Sequence, residues 1–192
     1  GINAEYGDLQ MKGPENQTIL SDKLLQKYKL KLTAQQVEDA HEGEIVNGCL
    51  ILKKERYKTK KYQDREDIEA VLALKLKIVP SNFFNEVWNL RTIVMLEAEE
   101  ISDGQLALAH CFDQCYFPKL KKVGASVFKC SCIKSLDAEN FPALMEVGDS
   151  SFAGTNIRKI DLLTLQKIGI CGFCESQSTR SPFSRRERIL NV

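Results

Sequence analysis

A unit of 21 to 24 residues recurs along this chain, and it limits the folds open to it more than any other feature. Phe117-Pro-Lys-Leu120-Lys-Lys-Val123-Gly124 returns as Phe141-Pro-Ala-Leu144-Met-Glu-Val147-Gly148. It returns again in part as Leu165-Gln-Lys-Ile168-Gly169. Five residues after each Val or Ile stands an aromatic: Phe128, Phe152 and Phe173.

Carried toward the N-terminus, this phase gives six columns over six repeats. The first column holds Val46, Ile68, Leu90, Phe112, Ile133 and Ile157. The second holds Cys49, Val71, Ile93, Cys115, Leu136 and Ile160. The third holds Ile51, Ala73, Met95, Phe117, Ala138 and Leu162. Lys54, Leu76, Ala98, Leu120, Leu144 and Leu165 form the fourth. Tyr57, Val79, Ile101, Val123, Val147 and Ile168 form the fifth. Tyr62, Phe84, Leu106, Phe128, Phe152 and Phe173 form the last. Of these 36 positions only Lys54 is neither apolar nor aromatic. With 43% hydrophobic residues, chance would fill about 15. A three-residue insertion falls inside the repeat that begins at Ile133.

The first three columns read as a short strand with alternate side chains turned inward. One such strand cannot bury its face alone, so successive copies stack into a parallel sheet around a shared core. The expected fold is therefore an α/β repeat solenoid with a parallel concave sheet. Gly124, Gly148 and Gly169 follow the Val/Ile column, where a tight turn calls for positive φ. Asp67, Asn89, Cys111, Cys132 and Asn156 precede the strands, and their expected role is a ladder of local hydrogen bonds to backbone.

These repeats resemble the leucine-rich-repeat superfamily, specifically its BspA-type class, with units like Phe-Pro-x-Leu-x-x-Ile-Gly-x-x-x-Phe-x-x-Cys. Phe117 to Cys130 and Phe141 to Phe152 carry the resemblance, which extends from about Ile68 to Phe173. It implies a leucine-rich-repeat horseshoe and a non-catalytic, adhesion-like scaffold that binds a protein partner.

Four segments are expected: a leader or tag at 1–17, a helical N-terminal cap at 18–45, six repeats at 46–174 with the first degenerate, and a polar tail at 175–192. In the cap, Leu20, Leu24, Tyr28 and Leu32 recur at helical spacing with Ser21 as N-cap, and Thr33 with Gln36 matches a capping box. No further repeat follows Phe173, so the open C-terminal edge is an expected site of self-association.

The chemistry of individual residues argues against an enzyme. Cys171-Gly-Phe-Cys174 and Cys130-Ser-Cys132 do not match the spacing of common zinc ribbons, and a redox C-x-x-C lacks its thioredoxin-like context. Cys49 and Cys115 fall in core columns. The two histidines, His41 and His110, pair with no nucleophile. No catalytic, metal or cofactor-binding residue is expected, and no cofactor.

Net charge is +1, which gives no global attraction to nucleic acid. The alternative is a nucleic-acid or anionic-membrane adaptor working through the basic stretch 53–65, where Lys53, Lys54, Arg56, Lys58, Lys60, Lys61 and Arg65 interleave with Tyr57 and Tyr62. The bland reading, a solvated convex face with column-filling tyrosines, is favoured because Asp64, Glu66 and Asp67 follow at once.

The expected binding surface is the concave sheet. Its outward positions are Ala70, Leu72, Thr92, Val94, Gln114, Tyr116, Ser135, Asp137, Lys159 and Asp161, with Tyr116, Leu72 and Val94 making an apolar patch. An odd cysteine count of 7 favours a reducing compartment. No signal-peptide pattern or membrane-length apolar run is found, so a cytoplasmic location is expected, or a cell surface if a signal was removed.

Overall fold

The computed structural model describes residues 20–58, 62–104 and 114–175. Its architecture is a parallel-strand β-solenoid of about five turns with few helices. The leader, the tail from residue 176, and Lys60, Lys61, Leu106, His110, Cys111 and Phe112 lie outside the described residues.

One sheet runs in the order β1-β2-β3-β5-β7. Its strands are β1 (Ile45–Val46), β2 (Cys49–Leu52), β3 (Ala70–Ala73), β5 (Thr92–Met95) and β7 (Gln114–Tyr116). All pair in parallel except β1, which is antiparallel to β2. The pair β9 (Ser135–Asp137) and β11 (Lys159–Asp161) continues the repeat as a separate parallel ladder. On the returning side of each coil a second sheet forms from two-residue strands. These are β4 (Ile78–Val79), β6 (Glu100–Ile101), β8 (Lys122–Val123), β10 (Glu146–Val147) and β12 (Lys167–Ile168), stacked in chain order. Both long sides of the coil are therefore strand. The only helices among the described residues are α1 (Asp22–Lys27) and α2 (Ala34–Asp39).

Strand alternation sorts the side chains. In β3, Val71 and Ala73 point into the coil, and in β5 Ile93 and Met95 do the same, joining Leu76, Val79, Leu120 and Leu144 in one continuous core. The aromatic column closes one end of the coils. Phe128 stacks on Phe152 at 5.0 Å between ring centroids, and Phe152 on Phe173 at 5.4 Å. Tyr62 stacks on its column neighbour Phe84 at 6.4 Å and is buried in the core, so the tyrosine does fill its repeat column.

Four assignments from the sequence shift. In the first repeat Leu50 and Leu52, not Cys49 and Ile51, align with Val71 and Ala73 and enter the core. Period-2 alternation makes a one-residue slip reverse every side chain, so Cys49 and Ile51 face the other way. The cause is a hairpin: Asn47 and Gly48 adopt φ of 50° and 77° and turn β1 onto β2, leaving no room for Val46 as an inward strand start.

In the fifth repeat Ala138 is exposed, and Phe141 takes the inward place by stacking on Phe117 at 5.5 Å. The extra residues bulge instead. Asp137 Oδ1 accepts hydrogen bonds from the amides of Glu139 and Asn140, which caps the bulge locally.

The repeat glycines do not adopt positive φ. They permit close approach of coils: a Cβ on Gly148 would lie 2.5 Å from the carbonyl carbon of Gly124, and one on Gly124 would lie 2.9 Å from that of Ser102. The left-handed positions fall two residues later, at Asn82, Gly104, Ser126, Ser150 and Cys171. Side-chain bonds between coils also lie elsewhere than expected. Asp103 and Asp149 accept from the amides of Ala125 and Ile170 in the following coils, both at 2.7 Å. Of the residues preceding the strands, Asn89 donates to the Glu66 carbonyl at 2.7 Å, whereas Asp67 pairs with Arg65.

Candidate protein-binding face

The outward side chains of the first sheet form the surface on which the sequence places a partner. The structure covers most of it with the chain's own N-terminal segment. Ser21 caps α1 by accepting from the Leu24 amide, and the Thr33/Gln36 capping box opens α2. Asp22 Oδ1 accepts from the Ala34 amide at 2.6 Å and ties the two helices together. Their apolar residues Leu24, Leu25, Tyr28, Leu30, Leu32 and Val37 pack on Cys49, Ile51, Leu72, Val94 and Leu96 as a second core.

Leu72, Thr92 and Val94 are thus buried, which corrects the expectation that they are exposed. The physical reason is economy of apolar surface. Leu72, Val94 and Tyr116 make a stripe that is costly to leave in water, and the amphipathic segment supplies the matching face.

The cover ends at Tyr116. Tyr28 stacks on it with centroids 4.9 Å apart, and burial raises the phenol pKa of both rings. Tyr28 donates through its hydroxyl to Asn140 Oδ1 at 3.2 Å, and Lys27 pairs with Glu139. Gln114 lies half-buried beside this edge.

Among the described residues no segment covers the face beyond it. Ser135 and Asp137 are half-buried and joined by a 3.2 Å hydrogen bond. Lys159 and Asp161 are exposed and form a 3.5 Å ion pair, which contributes little in water. Two residues past Asp161, Leu163 is 95% exposed, and Ile170 on the same coil is 80% exposed.

The basic stretch is partly engaged elsewhere. Lys53 Nζ donates to the carbonyls of Glu38 and Ala40 at the end of α2, at 2.8 and 2.5 Å. Arg65 pairs with Asp67 at 2.6 Å. Tyr57 donates to Glu42, and burial is the main cause of its raised pKa. Lys54, Arg56 and Lys58 stay exposed.

The second sheet carries a different electrostatic pattern. Glu99–Lys121 at 2.8 Å and Glu100–Lys122 at 3.1 Å join one coil to the next. The ammonium of Lys121 beside Glu99 holds that carboxyl below its ordinary range. Opposite charges directly across strands neutralise this surface internally.

Cys171 and Cys174 are joined by a disulfide, so as found neither sulfur is a thiolate ligand. Among the described residues no three His, Cys, Asp or Glu side chains converge to hold a metal ion. Nor is any helix there long and apolar enough to cross a membrane. No family model, curated protein or solved structure matches this chain.

Proposed function

We propose that this chain is a non-catalytic protein-binding module of the leucine-rich-repeat kind, and that its partner docks on the β9/β11 ladder, where the N-terminal segment does not reach. Leu163 carries this reading. It is an apolar side chain 95% exposed, two residues beyond the strand that carries the exposed Lys159 and Asp161. A central apolar anchor with a charged rim is the usual anatomy of a protein-binding patch. Asp137, Ser135, Gln114 and the outer edge of Tyr116 extend the patch toward the N-terminal segment. Leu72, Thr92 and Val94 act indirectly, by seating that segment.

The test is affinity capture from lysate with wild type, a Leu163→Ser/Lys159→Glu variant and an Arg56→Glu/Lys58→Glu variant. The patch reading expects a protein retained by wild type and by the basic-stretch variant, and lost from the patch variant. Retention by the patch variant with loss from the basic-stretch variant refutes it. That pattern, with strongly salt-dependent binding, favours the adaptor working through residues 53–65.

A second reading has its own observation. Ile170 is 80% exposed on the last described coil, which also carries the half-buried Leu165 and Phe173. Two such ends joined together would remove this apolar surface from water. Light scattering over a concentration series tests it, and a monomer at every concentration refutes it.

A further inference from the structure

We propose that Cys171 and Cys174 form a reversible redox latch fastening the turn that closes the last described coil. The disulfide spans three positions of that turn. The corresponding residues are Ser150 and Ala153 one coil earlier, and Ser126 and Lys129 two coils earlier. The backbone is the same in each: φ is 58° at Ser126, 53° at Ser150 and 56° at Cys171. The latch is therefore a substitution into a repeated shape and does not itself create the turn.

The earlier turns are braced by the coil that follows them. The amides of Ser126, Phe128 and Cys130 donate to the carbonyls of Asp149, Ser151 and Ala153, at 2.9, 2.8 and 2.8 Å. Those of Ser150, Phe152 and Gly154 donate to Ile170, Gly172 and Cys174, again at 2.9, 2.8 and 2.8 Å. No such coil follows the turn at 170–174 among the described residues. Among the described residues a covalent link stands there where stacking constrains the earlier turns. It brackets Phe173 in sequence, and that ring stacks on Phe152.

The link is placed for exchange. Cys171 is exposed and Cys174 half-buried, so an external dithiol meets the Cys171 sulfur first. Its thiolate attacks Cys171 Sγ, the bond to Cys174 breaks, and the electron pair leaves on Cys174 Sγ, which takes a proton from water. The reductant's second thiol attacks the mixed disulfide and releases Cys171. The protein gains two electrons and two protons, and the dithiol becomes a cyclic disulfide. The opened turn then loosens its hold on Phe173 and on the three carbonyls that receive the amides of Ser150, Phe152 and Gly154.

Dithiothreitol on the folded protein is the probe, read by peptide mass after alkylation and by amide hydrogen exchange. Cys171 and Cys174 are expected to alkylate only after reduction. Exchange at residues 150–154 and 170–175 is expected to quicken by about tenfold or more, with β3 and β5 unchanged. Reoxidation restores the protection. A Cys171→Ser/Cys174→Ser variant exchanges like reduced wild type. Alkylation of both cysteines without reductant overturns the proposal, as does exchange at 150–154 and 170–175 that is the same before and after reduction. Because the reduction cycle uses wild type, it decides the matter even if the variant fails to fold.

Discussion

Leu72→Ala separates a sheet face open to solvent from one covered by the chain itself. Were Leu72 an exposed position on a free concave sheet, its truncation would change stability by no more than about 0.5 kcal/mol. It is instead fully buried, in the cluster that holds Leu25, Ile51 and Val94. Removing a buried leucine side chain and leaving a cavity costs about 2–5 kcal/mol. With a urea slope of about 2 kcal/mol/M, a loss of 3 kcal/mol lowers the unfolding midpoint by about 1.5 M. Urea titration followed by circular dichroism measures this, with Lys159→Ala as the exposed control on the same face. A Leu25→Ala/Leu72→Ala double variant is expected to depart from additivity by about 0.5–3 kcal/mol, because both side chains belong to one cluster. A Leu72→Ala midpoint indistinguishable from wild type refutes the covered face.

Gly148→Ala places a Cβ 2.5 Å from backbone and is expected to cost about 1–3 kcal/mol, where a compatible Gly→Ala exchange would stabilise; a raised melting temperature contradicts it. Phe141→Ala is expected to cost about 3–5 kcal/mol and Ala138→Ser less than about 0.5, and the reverse order in urea would restore Ala138 to the core column. Burial raises the Cys49 thiol from its ordinary 9.0 to about 12 and raises Tyr28 in the same direction. Below pH 9 both folded and unfolded chains keep the Cys49 proton, so stability is full. Between 9 and 12 the unfolded chain loses a proton that the folded one keeps, and stability falls by about 1.4 kcal/mol per pH unit for this group. Cys49→Ala is expected to lessen the drop between pH 8 and 10, and an unchanged drop counts against burial of the thiol.

The coil itself was legible because period and alternation are written in side chains such as Val71, Ile93, Leu120 and Val147, each turned inward as its column requires. Both caps of the N-terminal helices were equally legible, at Ser21 and at Thr33 with Gln36. The missed points share a cause: a local backbone signal was outvoted by the column pattern. Asn47-Gly48 is a strong hairpin signal, and heeding it would have moved Cys49 and Ile51 off the core face. The Phe-Pro pair already aligned Phe141 with Phe117, against the column that chose Ala138. Where the helices would lie was not legible. Leu24, Leu25 and Tyr28 suit either the end of a solenoid or the face of its sheet, and periodicity on the helix does not choose between them. The exposed Leu163 carried no signal, since it stands beside Leu162 in a run that continues the repeat.

The three-residue insertion has a consequence for assembly of the molecule. A sheet built from near-identical coils has almost translational symmetry, so helices held to it by apolar contact alone would find several equivalent berths, each one coil from the next. Lys53, through the carbonyls of Glu38 and Ala40, breaks that degeneracy at one end, and the bulge after β9 breaks it at the other. Glu139 and Asn140 occur once, and they meet Lys27 and Tyr28 at the end of α1. The defect in the repeat thus works with Lys53 as a two-point address for the N-terminal segment on the sheet.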